Sequence, residues 1–404
     1  MKVAVIGAGA AGFFAALSVH AHHPDAEIVI VERSDKLLSK VKVSGGGRCN
    51  VTNGIREVSQ LIKNYPRGGK SLKKAFEVFG TAETVAWFES RGVALKTESD
   101  GRMFPVSDRS QSIVDCLLDE AEKAGIRIHF QTRIDTISLL NDGFVLHSVQ
   151  GDIHADKLIV ATGGSPKEEG LAWLQALGHA IEKPVPSLFT FNLEKSDITA
   201  LMGLSVSEAE VRIVGTDLTE KGPVLITHWG FSGPAVLKLS ARGARELAAL
   251  DYTFQVAINW CGGQKEHALR AHFASEVEQN RLKKAINTKM QHMPSRLWEY
   301  HLQRAGISSD LRWADMKKDQ FNRLINGLTN DQYAVKGKTT FKDEFVTCGG
   351  VSLSDVDMLT MESKKVPGMF FAGEVLDIDG VTGGFNFQAA WTTGYLAGKL
   401  AVRE

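Results

Sequence analysis

Gly7-Ala8-Gly9-Ala10-Ala11-Gly12 is a G-x-G-x-x-G run, and its setting decides the fold. Lys2–Ile6 before it reads as a buried strand. Ala10–Ala21 after it has helical period and stops before Pro24, and Glu27–Glu32 reads as a second strand. Strand, glycine turn, helix and strand make a βαβ start, in which backbone N–H groups at a helix N-terminus receive a pyrophosphate. Glu32 follows the last glycine by about 20 residues, where a carboxylate accepts hydrogen bonds from ribose hydroxyls. A glycine turn that only packed helix on strand would need no acid there. A dinucleotide with a free ribose hydroxyl is expected.

Two distant segments narrow the dinucleotide. Leu158–Ala161 is a short apolar strand that breaks at Thr162-Gly163-Gly164, small residues that let backbone approach a ligand. Met369–Ala372 is another strand, followed by Gly373-Glu374-Val375-Leu376-Asp377 and then Gly383-Gly384-Phe385-Asn386-Phe387-Gln388 at the start of a helix over Asn386–Leu400. A carboxylate there suits ribitol hydroxyls, and the helix N-terminus suits negative charge at the N1/C2=O edge of a reduced flavin. An extended FAD needs contacts from both chain ends; NAD does not. FAD is the expected cofactor. The run appears only once between a strand and a helix, so NAD(P)H, if it is the electron donor, docks transiently over the flavin.

The segment Lys40 to Asn53 contains Ser44-Gly45-Gly46-Gly47-Arg48-Cys49-Asn50, whose glycines expose backbone donors for a pyrophosphate or flavin. S-G-G-G-R-C-N-V-T-N, the A-T-G-G strand end, T-H-W-G-F-S-G-P-A and F-A-G-E-V-L-D with G-G-F-N-F-Q resemble the BaiN/YhiN-like family of bacterial FAD-dependent oxidoreductases over nearly the whole chain. The resemblance implies an α/β, Rossmann-like FAD-binding domain, with a two-dinucleotide-binding architecture, interrupted by a β-barrel-like and helical insert. It implies cofactor contacts from Gly7, Gly9, Ala10, Ala11, Gly12, Glu32 and Arg33 in the first unit. Lys40, Ser44, Gly46, Arg48, Cys49 and Asn50 are expected to add contacts from the glycine segment. Ala161, Thr162 and Gly163 follow from the middle strand, and Gly373, Glu374, Asp377, Gly384, Phe385, Asn386 and Gln388 from the C-terminal segment.

At 404 residues the chain suits more than one core. Residues 1–187 and 341–404 are expected to form the FAD-binding domain, and 188–340 the insert, β-rich over 188–262 and helical over 263–340. Ile126–Phe130 and Phe144–Ser148 are expected to be strands of a small accessory sheet.

Lys+Arg and Asp+Glu both total 47, so bulk charge draws in neither nucleic acid nor membrane, and neither is expected as a partner. No apolar run is long enough for a membrane span, and Val3–Ile6 runs into the glycine motif rather than a cleavage site. Cys49, Cys116, Cys261 and Cys348 are scattered without a C-x-x-C pair, which argues against a metal or disulfide framework and for a reducing cytoplasm. His20, His22 and His23 fit a helix C-terminus rather than a metal site. Lys63, Arg67, Lys70, Lys73 and Lys74 read as a solvated face.

Thr227-His228-Trp229-Gly230 suits a loop over a bound substrate. His228 there and Arg102 in Gly101–Pro105 are the candidate catalytic or anchoring side chains, although a lone histidine is more often structural. The family resemblance implies, as the expected activity, NAD(P)H-dependent reduction of an activated C=C bond in a small organic substrate. An amine oxidase and a non-catalytic redox sensor or RNA-docking flavoprotein stand as alternatives.

Overall fold

The computed structural model describes residues 1–288, 293–339 and 346–400. The chain divides into two compact units, Met1–Ser187 with Phe341–Glu404, and Leu188–Thr340.

The first unit is built on a strand pair that the sequence makes unusually legible. Val3, Ala4 and Val5 of β1 (Lys2–Ile6) are fully buried, as a strand covered on both faces requires. It pairs in parallel with β2 (Glu27–Val31) on one side and with Lys157–Val160 on the other. Among the described residues five parallel strands form the sheet, in the order Met369–Phe371, Lys157–Val160, β1, β2 and Arg127–His129. Arg127–His129 therefore belongs to the central sheet and not to an accessory one. The helix Gln111–Lys123 supplies the crossover that a parallel neighbour of β2 needs. Gly143–Ser148 does lie in a separate antiparallel sheet, between Ile134–Leu140 and Ile153–Ala155.

Helix α1 (Ala10–His22) is buried without interruption from Ala11 to Val19, so it is apolar all round rather than amphipathic. The last helix, Phe385–Gly398, packs along it. Ser18 Oγ donates to the Tyr395 carbonyl at 2.7 Å, and Gly394 and Gly398 lie against the α1 backbone at Ala11 and Ala15. At the end of α1, His22 Nδ1 donates to the Ser18 carbonyl and His23 Nε2 to the Lys399 carbonyl.

In the second unit, six strands among the described residues close a barrel: Thr190–Leu193, Gly230–Ser232, Thr219–Thr227, Ser205–Ile213, Thr253–Asn259 and Asp331–Thr339. Alternating side chains such as Val211, Ile213, Val256 and Ile258 fill it together with Phe191 and Phe231. The expectation of an all-helical stretch over 263–340 fails at its end, because Asp331–Thr339 closes the barrel between Thr190–Leu193 and Thr253–Asn259. Gln332, Ala334 and Lys336 are exposed while Asp331, Tyr333 and Val335 are buried, a period of two that the surrounding helices mask. A second core, around Phe273, Trp298 and Trp313, holds the helices Glu266–Gln279, Ser295–Arg304 and Lys318–Thr329.

Candidate functional site

The site grows from the point where β1 turns into α1. Gly12 sits in the first turn of α1 so close to the loop that a Cβ there would overlap the Gly7 carbonyl oxygen. A Cβ on Gly7 would in turn overlap the carbonyl of Ala161. This interlock places the Ala161-Thr162-Gly163 loop against the first glycine loop, a contact supported by Ala161 N donating to Ile6 O at 2.8 Å. Space opens on the other side: nothing lies within 4 Å of a Cβ at Gly9 or at Gly163. Helix α1 begins there at Ala10 and Ala11 with neither a side-chain cap nor an acid in its first turn, leaving its N–H groups for an anion.

Glu32 is held to this loop. Its Oε2 accepts from Ala8 N at 3.0 Å and its Oε1 from both the backbone N and the hydroxyl of Ser34 at 2.9 Å. The carboxylate is thereby oriented at the end of β2. Arg33 beside it is exposed.

Glu374 reaches the same region from the C-terminal segment. Gly373 packs on Ala11 of α1, and Glu374 Oε1 accepts from Thr347 N at 2.8 Å while Lys40 Nζ donates to Oε2 at 2.6 Å. Gly164 completes the cluster, since any Cβ there would crowd both Thr347 and Glu374. Among the described residues the buried Thr347 hydroxyl has no hydrogen-bond partner. Sequence reasoning missed Thr347; only its parallel to the other small polar residues near glycines could have signalled it.

The Ser44–Asn50 segment is not an open loop. It forms helix α2 (Ser39–Gly47), which breaks at Ser44 and runs through Gly45, Gly46 and Gly47 with φ of 59°, 69° and 83°. Three successive left-handed residues turn their N–H groups to one side, a nest suited to an anion, and Gly46 and Gly47 have no atom within 4 Å of a Cβ. Ser44 spends its hydroxyl on Val41 O. Cys49, buried and itself left-handed at φ 60°, has its thiol pushed up to about 12 by burial, so it packs as a neutral group. With its amide oriented to satisfy its neighbours, Asn50 accepts from Gly384 N at 2.8 Å, tying this segment to the start of the last helix.

Several expected contacts are already engaged within the protein. Gln388 is fully buried between Thr52 Oγ1 at 2.5 Å and Thr392 Oγ1 at 3.0 Å. Asn386 clamps Gly380 through both its amide atoms, and the carbonyl of buried Phe385 accepts from Tyr65. Asp377 lies half-buried on the same loop, its N–H donating to Val351 O. Arg48 and Arg102 both bind Glu98, Arg102 also binds Asp100, and Arg48 lies 4.0 Å over the Phe104 ring. Neither is an unpaired anion anchor. His228, in the second unit, is exposed on the tight turn joining Thr219–Thr227 to Gly230–Ser232, its ring edge-on to Trp229. That segment is a barrel hairpin rather than a loose lid.

Arg67 is the clearest departure from expectation. Lys63, Lys70, Lys73 and Lys74 are exposed, but Arg67 is half-buried against Asp379, which has no exposure at all. Arg67 Nε donates to Oδ1 at 2.5 Å and its second nitrogen to Oδ2, while Ser187 Oγ donates to Oδ2 at 2.7 Å. Burial pushes the Asp379 carboxyl upward, and the Arg67 fork works against it. A separate cavity of about 500 Å³ lies in the second unit, lined by Arg296, Tyr300, Gln303 and Arg304 with Asp197 and Glu299.

Open glycine cradles, an uncapped helix N-terminus, an oriented acid and an unpartnered hydroxyl together fit an FAD. The HI0933-like protein Rossmann domain matches residues 1–400. The chain belongs to this family. As an HI0933-like protein it is an FAD-binding flavoprotein and an oxidoreductase. It is 27% identical to the 3-dehydro-bile acid delta(4,6)-reductase of Clostridium scindens, over 100% of this chain and 99% of that one. It is 30% identical to the ribosomal RNA dihydrouridine synthase of Escherichia coli, over 97% of this chain and 95% of that one. Among solved structures it shares its fold with a 3-ketosteroid-delta4-(5alpha)-dehydrogenase of Rhodococcus jostii, at TM-score 0.53 and 14% identity over 100% and 97% of the two chains. A flavocytochrome c3 fumarate reductase matches at TM-score 0.52 and 18% identity, over 99% and 77%.

These HI0933-like relatives overturn the exclusion of nucleic acid as a partner, since relatives in both Escherichia coli and Haemophilus influenzae carry the ribosomal RNA name. The exclusion rested on a net charge of zero, and a sum over the whole chain says nothing of how charge is distributed. No helix among the described residues is long and apolar enough to cross a membrane.

Proposed function

We propose that this chain uses FAD to reduce a C=C bond conjugated with a ring carbonyl, taking electrons from NADH or NADPH. One observation carries the reading. Two relatives that align over almost the full chain are named for different substrates, a bile acid and a ribosomal RNA uridine. The bonds share one chemistry: in an enone and in C5=C6 of uracil alike, hydride adds at the carbon β to a carbonyl and a proton completes the reduction. FAD supplies hydride transfer through its N5 when bound.

On this proposal residues 1–187 and 341–404 hold the cofactor and 188–340 serve the substrate. The α1 N-terminus and the Gly45–Gly47 nest bind the pyrophosphate, and Glu32 accepts from the adenosine ribose. Glu374, held by Lys40 and Thr347, is placed for the ribitol hydroxyls. The start of the last helix, with no acid in its first turn, stabilises negative charge at the flavin edge. Gln388, Asn386 and Phe385 act one step back, keeping that helix start in place.

Anaerobic bleaching of the yellow protein by NADH and NADPH, followed by reoxidation with a steroid enone, a uridine-containing RNA, an amine-free buffer in air, or buffer alone, tests the reading. Reoxidation by an enone or by the RNA, with a reduced C=C bond in the product, is expected. Flavin that is reduced by a small amine and reoxidised only by oxygen overturns it.

A further inference from the structure

In the second unit two chain segments run side by side at the surface. Ala285 N donates to Leu311 O at 2.9 Å, Trp313 N to Lys283 O at 3.1 Å and Ala314 N to Arg281 O at 3.0 Å, and Lys284 and Arg312 form an antiparallel bridge. The underside of this ribbon is fixed: Ala285 and Trp313 are buried, Trp298 Nε1 donates to Ala285 O, and Trp313 Nε1 donates to Thr288 Oγ1. Its outer side carries Arg281, Lys283, Lys284 and Arg312, all exposed, and Lys317 and Lys318 follow at the start of the helix Lys318–Thr329.

Stability does not explain this placement. Lys317 and Lys318 occupy a helix N-terminus, where the dipole disfavours cations, and Lys283 and Lys284 are adjacent like charges. Three acids lie in the same stretch. Asp310 pairs with Lys284, and exposed Asp315 and Asp319 remain, so cations are in excess. Leu282, 76% exposed between Arg281 and Lys283, adds one apolar side chain, too little to enter a bilayer or to form the core of a protein interface.

We propose that this basic ribbon docks the phosphate backbone of a structured RNA. A rigid surface with several uncompensated Lys and Arg is what sequence-independent phosphate binding requires. It deepens the proposed function by placing the RNA-bearing substrate on the second unit, and it rests on uracil being among the rings reduced.

The test uses the full-length holoprotein and a fluorescein-labelled RNA stem–loop with unpaired uridines, followed by anisotropy across a salt series. The triple variant Lys283→Glu, Lys284→Glu, Arg312→Glu should bind about tenfold or more weakly, with the salt slope reduced by about 0.7–0.9 for each phosphate that is no longer neutralised. Its FAD content and its bleaching by nicotinamide should equal wild type, and Lys283→Arg with Lys284→Arg should bind RNA as wild type does. Unchanged affinity and slope in the triple variant overturn the proposal. So does tighter binding of wild type to a poly-glutamate peptide or to phosphatidylserine vesicles than to the RNA. Because binding is read without turnover, its failure is separate from failure to reduce an enone.

Discussion

Asp379 is a carboxylate with no access to solvent, kept in place by the Arg67 fork and the Ser187 hydroxyl. Removing one partner of such a pair strands the other charge, at a cost of about 3–5 kcal/mol. Arg67→Ala should therefore lower unfolding stability by about that amount, whereas Arg67→Met with Asp379→Asn should lose much less. Urea unfolding at neutral pH distinguishes the two, and equal losses would remove the buried-charge explanation. Glu32 makes a different demand, on binding as well as folding. A charge-assisted hydrogen bond is worth about 1.5–3 kcal/mol, so Glu32→Ala should weaken FAD retention by roughly 10- to 100-fold, and by leaving the buried Ala8 N–H unpaired it should lower apoprotein stability by about 1–3 kcal/mol. Flavin fluorescence on dilution measures it, and unchanged retention would count against the assigned role. Glu32 was legible because its spacing from Gly12 is local, and the Arg67 pair was not, because its partners lie more than three hundred residues apart in sequence.

Among elements, β1, α1 and β2 could be read almost to the residue, since each is specified by its own periodicity and by a turn that only small residues permit. Arg127–His129 could not be assigned to its sheet. Three alternating residues suit any sheet, and the choice was made by pairing with β2. The same limit applies to Asp331–Thr339, whose role depends on closing a barrel with strands far upstream. Helix α1 itself is held at a spacing that leaves no room for a side chain at Gly12. Gly12→Ala should push the helix N-terminus off the glycine loop and cost about 1–3 kcal/mol or more, with loss of bound flavin. Purified protein that keeps full flavin content and wild-type melting would show that the interlock with Gly7 is dispensable.

At the scale of the molecule, the second unit has the features of a domain that folds by itself. Its barrel is closed, it has two buried cores, and its ends meet where Thr190 pairs with Thr339. Residues 188–340 expressed alone should give a cooperative unfolding transition without bound flavin. The fragment should also carry its own pH signature. His301 is buried with Nε2 unpartnered among the described residues, and burial lowers its pKa from the ordinary 6.5 to about 4, with Asp331 opposing and Arg304 adding to the shift. Between those values the unfolded chain takes up a proton that the folded one refuses, so stability is fully present above about pH 6.5 and falls as pH drops toward 4. The loss amounts to about 3 kcal/mol at most from this group. His301→Phe, which fills similar space and titrates nowhere, should flatten the slope in fragment and full chain alike. Denaturant midpoints measured from pH 7 to pH 4 decide it, and an unchanged slope in the fragment would mean that another buried group carries the pH dependence.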